Sequence, residues 1–323
     1  MAKSTLREVA KLAGVSVATV SRVLNGQIDR VRPSTRELVE SASEKLGFKL
    51  DRAARRLRTG ETRVIAYILN RSDPSAQFVS ELLLGLSDRA LLDEYHVVIV
   101  PEAEISPIGS VEYLIESKNC DGVVLTHTRL DDARVRWLQA ENFPFITHGQ
   151  TRCSIEHDFV DYDHLEFLRL CFAELKPNSK RIALICPPTE LTFFTIMTEA
   201  FQAVLLPHPE MHGSVITEIN VESTVEKISD WARRESGRYD AIISYHDGII
   251  GALIAGTQPD AAVQFMTRVF GHNRSHVPES VFLLHQDVYQ DGWALADALI
   301  GKLQGKPATP YNSHPKRSDE ITT

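Results

Sequence analysis

Between residues 63 and 303 the chain repeats one alternation, a short run of apolar residues followed by a longer stretch with helical spacing. Strands are expected over 63–69 (RVIAYIL), 96–100 (HVVIV), 121–125 (DGVVL), 145–147, 180–186 (KRIALIC), 215–220, 240–245 (DAIISY) and 281–285. Helices are expected over 78–92, 111–117, 131–141, 163–175, 192–205, 225–234, 248–255 and 288–303. A β-α rhythm of this kind folds as a parallel sheet with helices on both faces. The repeat belongs to a stretch of about 260 residues, more than one such sheet usually holds, so two α/β lobes are expected. Residues 258–278 resist the pattern and show only strand fragments at 263–266 and 269–270.

The first residues obey a different rule. Thr5 and Glu8 have capping-box spacing, which starts a helix at Leu6 with Leu6, Val9, Ala10 and Leu12 on its apolar face. Gly14 breaks that helix and Ser16 caps a second one, whose inner stripe is Val20, Val23 and Leu24 and whose end is marked by Asn25 and Gly26. Val17, Ala18, Ser21 and Arg22 are left on its outer side. That is where a helix-turn-helix meets base edges in the major groove. A third helix is expected after Pro33, capped by Ser34 with Glu37, with Leu38, Val39, Ala42 and Leu46 inside and Gly47 closing it.

Two capped helices alone would fit a plain helical hairpin, and charge separates the two readings. The whole chain carries −8. Through Arg63 it holds 14 Lys and Arg against 7 Asp and Glu, a charge of +7, so the remainder carries −15. A basic headpiece on an acidic body suggests a polyanionic partner for the headpiece only. Its core of small apolar residues is thin for about fifty residues, so it should be marginally stable alone.

Residues 51–58 (DRAARRLR) crowd four arginines around one leucine, followed by Thr59 and Gly60. So short a helix is unstable in water. The segment reads either as a basic linker or as a hinge that becomes helical on DNA. In the second reading Arg52, Arg55, Arg56 and Arg58 lie near phosphates and Leu57 is a wedge in the minor groove.

Residues 9–25 carry the pattern V-A-x-x-A-G-V-S-x-A-T-V-S-R-V-L-N, and residues 54–57 read Ala-Arg-Arg-Leu. On these residues the stretch 5–59 resembles the headpiece and hinge of the lactose/galactose repressor (LacI/GalR) family of bacterial transcription regulators. The resemblance implies that Val17, Ala18 and Arg22 read bases, and that Thr5, Ser16, Thr19, Ser21 and Asn25 hold the DNA backbone. It implies that Ala54, Arg55, Leu57 and Arg58 form the minor-groove part of the hinge. Val17 and Ala18 can touch thymine methyls but make no bidentate hydrogen bonds, so Arg22 would have to read a guanine.

The resemblance also implies an architecture. It is an all-α helix-turn-helix headpiece (residues 1–49), a hinge (50–61) and a periplasmic-binding-protein-like body of two parallel-sheet lobes (62–311). The polar residues 312–323 read as a flexible tail. The implied function is a sequence-specific DNA-binding regulator, in expectation a repressor. It would act on double-stranded DNA at a pseudopalindromic operator as a homodimer or larger assembly. A small-molecule effector, a sugar or sugar derivative, would control it from the inter-lobe cleft.

Ligands of such sheets bind outside the carboxyl ends of the strands. The candidates there are Arg71, Ser72, Asp73, His127, His148, Gln150, Asp163, Thr195, His246, Asp247 and Gln286. Asn70, Thr126, Gly149, Asp161, Tyr162 and Tyr245 are their sequence neighbours. Asp163 and Asp287 serve equally well as helix N-caps. Asp163, Asp247 and Gln286-Asp287 fall where the family places its recurring Asp or Gln-Asp. Three departures point away from a standard sugar site. Thr195, Ile196 and Met197 stand where relatives often carry an arginine after a turn like Pro187-Pro188. Residues 267–273 (TRVFGHN) replace a Gly-aromatic-Asp-Asp segment, and Gly149-Gln150 replaces Gly-Arg.

No catalytic, cofactor or metal site is expected, and the chain does not read as an enzyme. Cys120, Cys153, Cys171 and Cys186 have no C-x-x-C spacing, which favours free thiols in a reducing compartment. His208/His212 and His272/His276 have i,i+4 spacing but lie near Pro or Gly. No G-x-S-x-G, P-loop or G-x-G-x-x-G occurs. The N-terminus shows no apolar signal core, and no apolar run approaches the roughly eighteen residues of a membrane span, so a cytoplasmic location is expected. The competing class is a solute-binding protein or enzyme with a fused basic headpiece. It would call for a leader or a nucleophile–base pair, and the sequence shows neither.

Overall fold

The computed structural model describes residues 4–24, 31–48, 60–71, 75–186, 190–270, 277–306 and 311–317. The chain divides into two compact units, residues 1–62 and 63–323.

In the first unit, α1 (Leu6–Ala13) starts on the expected box: Thr5 Oγ1 accepts the Glu8 N–H at 3.4 Å, and the Glu8 carboxylate accepts the Thr5 N–H at 2.7 Å. Gly14 sits at φ 67, a left-handed conformation that glycine adopts without steric cost, and turns the chain towards α2 (Val17–Leu24). Ser16 Oγ accepts the Thr19 N–H at 3.1 Å, as an N-cap does. The third helix, α3 (Pro33–Lys45), begins before the expected cap. Pro33 occupies the first turn, Arg32 holds the cap position without a side-chain bond, and Ser34 lies inside the helix. Proline fits there because its missing N–H would have no helical partner.

The three helices share a core of Val9, Ala10, Ala13, Val20, Val23, Val39 and Ala42. Leu12 and Leu38, expected inside, are 52% and 55% exposed, because the helix phase turns Ala13 and Val39 inward instead. Asn25, Gly26 and the hinge residues 51–58 lie outside the described residues.

The second unit holds two parallel sheets. The first lobe runs β1 (Val64–Leu69), α4 (Ala76–Leu92), β2 (His96–Pro101), α5 (Gly109–Glu116), β3 (Gly122–Leu125), α6 (Ala133–Ala140), β4 (Phe145–His148) and β5 (Phe159–Tyr162). The second runs α7 (His164–Ala173), β6 (Arg181–Ile185), α8 (Thr192–Leu205), β7 (His212–Ile216), α9 (Val225–Glu235), β8 (Ala241–Ser244), a 3-10 turn (Asp247–Ile249), α10 (Ile250–Gly256), β9 (Gln264–Phe270) and β10 (Phe282–Gln286). Then α11 (Val288–Leu303) and β11 (Tyr311–Ser313) return to the first lobe. The sheet orders are β2-β1-β3-β4-β5-β11 and β7-β6-β8-β9-β10, and every strand pair is parallel. In each lobe the order reverses at the first strand, which opens a crevice at the carboxyl ends of β1 and β3 and of β6 and β8.

Both faces of both sheets are covered, which is why the strands read as unbroken apolar runs. Ile65 and Tyr67 of β1 pack with Leu82 and Leu86 of α4 and Leu295 and Leu299 of α11, while Ala66 and Ile68 face Val111, Leu114, Val135 and Leu138 of α5 and α6. In the second lobe Ile182 and Leu184 meet Phe167 and Phe201 of α7 and α8, and Ala183 and Ile185 meet Ile228 and Leu253 of α9 and α10. The helices α4 and α11 touch through paired glycines. A Cβ on Gly85 would stand 1.9 Å from the Tyr289 carbonyl oxygen, and one on Gly292 would stand 2.1 Å from that of Leu82.

In the second unit the structure departs from the sequence reading at four places. Phe159–Tyr162 is a strand with no apolar run to announce it, because its third residue is the buried Asp161. The fragments at 263–266 and 269–270 are one strand, β9, whose continuity is hidden by Thr267 and Arg268. The strand expected at 215–220 lies at His212–Ile216, on a half-exposed sheet edge. Residues 311–317 are no flexible tail: Tyr311–Ser313 extend the first sheet beside β5, and Lys316 exchanges backbone hydrogen bonds of 2.8 and 3.0 Å with His285 of the second lobe. The chain thus crosses between lobes at 163, at 287 and again at 314–316.

Candidate functional site

On α2, Val17, Ala18 and Arg22 are exposed, Thr19 and Ser21 are half-buried, and Val20 and Val23 face the core. The eight-residue helix therefore presents one small apolar and cationic face, with Ser16 Oγ and Thr19 Oγ1 paired at 2.9 Å at its start.

In the body, a cavity of about 460 Å³ lies at the carboxyl ends of the strands. It collects residues that follow or end β1, β3, β4, β5, β6, β7, β8, β9 and β10. Of the sequence candidates, His127, His148, His246 and Gln286 line it. Five others do not. Arg71 lies on the surface, 3.8 Å from Glu104. Gln150 gives its backbone N–H to Asp161. Asp163 caps α7 by accepting the Glu166 N–H at 2.8 Å. Thr195 is half-buried on α8 outside the lining, and Asp247 lies 3.2 Å from His246 Nδ1. Ser72, Asp73, Pro187, Pro188, His272 and His276 fall outside the described residues. Asp287, like Asp163, is an N-cap.

Several lining residues carried no sequence signal. Phe78, Phe193, Asn220, Glu222, Arg268 and Phe270 come from strand ends or helix starts that an apolar pattern does not single out. Arg268 could have been noticed as the one charge inside the run VQFMTRVF.

The cavity's walls are aromatic and its polar groups are buried. Phe78 meets His148 and Phe270 edge-on at 5.3 Å, His246 meets Phe270 at 5.3 Å, and Phe193 stacks on Tyr245 at 5.7 Å. Gln286 Nε2 donates to Asp291 at 2.7 Å, and His148 Nε2 lies 3.4 Å from the same carboxylate oxygen. Tyr162 Oη, His164 Nδ1, His246 Nε2, Arg268 Nε and Gln286 Oε1 are buried with no hydrogen-bond partner among the described residues. Buried polar atoms are nearly always satisfied, so their gathering on one cavity marks a surface made for polar ligand groups. Burial raises the Asp161 carboxyl, against the charge of His148. Burial, reinforced by the charges of Arg268 and His148, pushes His164 down to about 3, so its ring is neutral.

The loop after β3 is held from below by Arg134, which is 1% exposed. Arg134 donates to Asp132 at 2.7 Å, to Glu102 at 3.3 Å and to the carbonyls of Thr126 and His127 at 3.1 Å each. Burial alone would raise Asp132, but hydrogen bonds from Arg134 and Arg129 outweigh it and hold the carboxyl below its ordinary value. His127 adopts φ 52, an unusual conformation for a residue with a side chain, at the cavity wall.

Bonds also span the cleft mouth. The Thr192 N–H donates to the Thr128 carbonyl at 2.8 Å, Gln77 donates to the Phe270 carbonyl at 2.8 Å, and Arg152 pairs with Glu199 at 2.6 Å. Among the described residues no group of three His, Cys, Asp or Glu is placed to hold a metal ion, and no helix is long and apolar enough to cross a membrane. All four cysteines are free thiols. Burial pushes Cys120 and Cys186 up to about 12, which keeps them protonated and unreactive.

A capped helix-turn-helix unit joined in one chain to a two-lobed parallel α/β body with a polar inter-lobe cavity defines the class of helix-turn-helix proteins with a periplasmic-binding-protein-like body. Residues 5–50 match the family described as bacterial regulatory proteins, lacI family. The regulator AglR of Rhizobium meliloti (strain 1021) is 34% identical over 193 residues, which cover 58% of this chain and 54% of AglR, so that match spans about half of the relative's length. RafR of Escherichia coli is 29% identical over 307 residues, 94% of this chain and 79% of RafR. The fold matches the Lac repressor dimer bound to operator and the anti-inducer ONPF, with a TM-score of 0.72 and 19% identity over 99% of this chain and 100% of that one. Residues 5–50 thus carry the helix-turn-helix segment of the lacI family, and the chain as a whole resembles regulators of that family.

Proposed function

We propose that this chain is a sequence-specific DNA-binding transcription regulator, a repressor, whose hold on its operator is set by a small molecule bound between the lobes. The observation that carries the reading is the exposed face of α2, with Val17, Ala18 and Arg22 outward on a capped helix inside the segment matching the family. In this reading Arg22 reads a guanine, Val17 and Ala18 meet thymine methyls, and Thr5, Ser16, Thr19, Ser21 and Asn25 hold phosphates. Ala54, Arg55, Leu57 and Arg58 form the minor-groove hinge, with Leu57 as the wedge.

The working species is a homodimer on a pseudopalindrome, one headpiece for each half-site. An apolar strip on the first lobe supports a second copy as the partner. Leu84, Leu91 and Leu92 of α4, Val98 and Ile99 of the edge strand β2, and Tyr113 of α5 are all exposed. The effector is a small polyhydroxylated molecule whose hydroxyls pair with Gln286, His246, His148 and His127. It must bind two lobe arrangements with different affinity to act at all. The short bonds across the cleft mouth are the contacts such a change would break and remake.

Selection from random-sequence duplexes at physiological salt tests the reading. Enrichment of a pseudopalindromic consensus is expected. Uniform recovery of all duplexes would overturn it.

A further inference from the structure

Arg268 and Arg134 are both buried, and they are treated differently. Arg134 has two carboxylates and two carbonyls. Arg268, in the middle strand of β8, β9 and β10, is 8% exposed and lines the cavity. Its guanidinium carbon lies 5.0 Å from the ring centroids of both Tyr162 and Phe270. Its Nε has no hydrogen-bond partner, and no carboxylate pairs with it among the described residues. Burial lowers its pKa, yet a guanidinium with a reference value above 12 stays charged.

Ring faces attract a cation but cannot neutralise it. A buried charge without a counterion is strongly unfavourable. The nearby acids do not fill the role. Asp247, whose charge acts on Arg268, lies against His246 Nδ1 at 3.2 Å, Asp161 already accepts backbone N–H groups of Tyr162 and Gln150, Glu190 lies 3.9 Å from Arg129, and Glu222 is exposed. Asn70, Asn220, Gln286 and His246 stand around the same cavity with groups that bond hydroxyls.

We infer that the ligand of this cleft is a small polyhydroxylated anion, its acidic group seated on Arg268 between the Tyr162 and Phe270 rings. The inference rests on the proposed effector site and narrows its ligand class. The acidic group is a carboxylate or a phosphate, since a guanidinium fork matches both. A residue outside the family's usual arginine position supplies the charge, which accounts for the departure at Thr195–Met197.

The experiment is calorimetry and thermal shift on the full chain with matched probes: glucose and galactose, then gluconate, glucuronate and galacturonate, then glucose 6-phosphate. At least one acid should bind ten-fold or more tighter than its neutral counterpart, and the carboxylate and phosphate arms separate the two sources. Inorganic phosphate at constant ionic strength should raise the melting temperature of the wild type but not of Arg268→Met, which keeps the apolar stem between the rings. Circular dichroism checks that the variant folds. A phosphate response that survives Arg268→Met, or that neither protein shows, would overturn the inference even if no sugar acid in the panel binds. A neutral sugar that binds as tightly as its acid would also overturn it. Duplex affinity measured with each hit keeps the two readings apart. A neutral sugar that binds and changes duplex affinity ends the anion and keeps the regulator. An acid that binds through Arg268 without changing duplex affinity does the reverse.

Discussion

The outer face of α2 and the wall of the inter-lobe cavity, the two surfaces proposed for recognition, are built in opposite ways. Val17, Ala18 and Arg22 fall within six residues of one helix, and Arg22 keeps its polar end in water. The cavity draws on nine strand ends, from Asn70 to Gln286, and buries polar atoms of Tyr162, His164, His246, Arg268 and Gln286 without partners among the described residues. A surface for a wet, charged polymer needs reach and charge, and can leave its groups hydrated until contact. A pocket for a small ligand must remove water and supply every hydrogen bond itself. The headpiece therefore holds a thin core and satisfied caps, whereas the body has thick cores and gathers five buried, unsatisfied polar atoms around one cavity.

Four measurements would break or sharpen that contrast. The largest effect is expected from Arg134→Leu, which takes the guanidinium from the buried Asp132 carboxylate and leaves the half-buried Glu102 with Arg129 alone. Removing one partner of a buried pair costs about 3–5 kcal/mol. Urea unfolding should report this loss in the body, and a change below 1 kcal/mol would show that the cleft floor is not held by this guanidinium.

Next comes pH. Unfolded His164 takes up its proton near the ordinary 6.5, and the folded residue only near 3. Its neutral burial is fully compatible with folding above pH 6.5, and stability is lost as pH falls from there towards 3, at up to about 1.4 kcal/mol per pH unit. His164→Asn should flatten the decline of the body's stability between pH 6.5 and 4.5, and an identical slope in both proteins would contradict the assignment. Third, Arg22→Ala should cost about 1–3 kcal/mol of discrimination between the selected operator and an unrelated duplex, leaving nonspecific binding in place. Equal discrimination in gel-shift titrations would remove Arg22 from the reading face. The smallest effect is expected from Thr5→Ala, which removes the cap of α1 and should destabilise the headpiece by about 1 kcal/mol while the body's transition stays put. Two separate calorimetric transitions would report it directly.

The same contrast explains what was legible in the sequence. The headpiece announces itself because capping, turning and reading are local: Thr5 with Glu8, Gly14, Ser16 and the face of α2 all sit within eighteen residues or so of one another. Most body strands were legible because burial on both faces leaves continuous apolar runs. The two interrupted ones were not, and both are interrupted by cleft residues, Asp161 in β5 and Arg268 in β9. A polar side chain placed at a strand's carboxyl end for a ligand erases the pattern that identifies the strand. The reading of 163–175 as a helix opened by Asp163 held because a cap is a local bond, but that same bond turns Asp163 away from the ligand role. Leu12 and Leu38 mislead for the reverse reason. An apolar residue on a short helix is counted as core, while the packed phase leaves it outside.

The return of residues 311–317 to both lobes has a consequence for biogenesis. Until β11 arrives, β5 is the open margin of the first sheet, with backbone groups free to template another chain. The segment that covers it also exchanges backbone hydrogen bonds with His285 of the second lobe. Pairing of β11 with β5 thus seals that margin and ties the two lobes together in one stroke, and a chain lacking 311–317 would expose the margin to self-association.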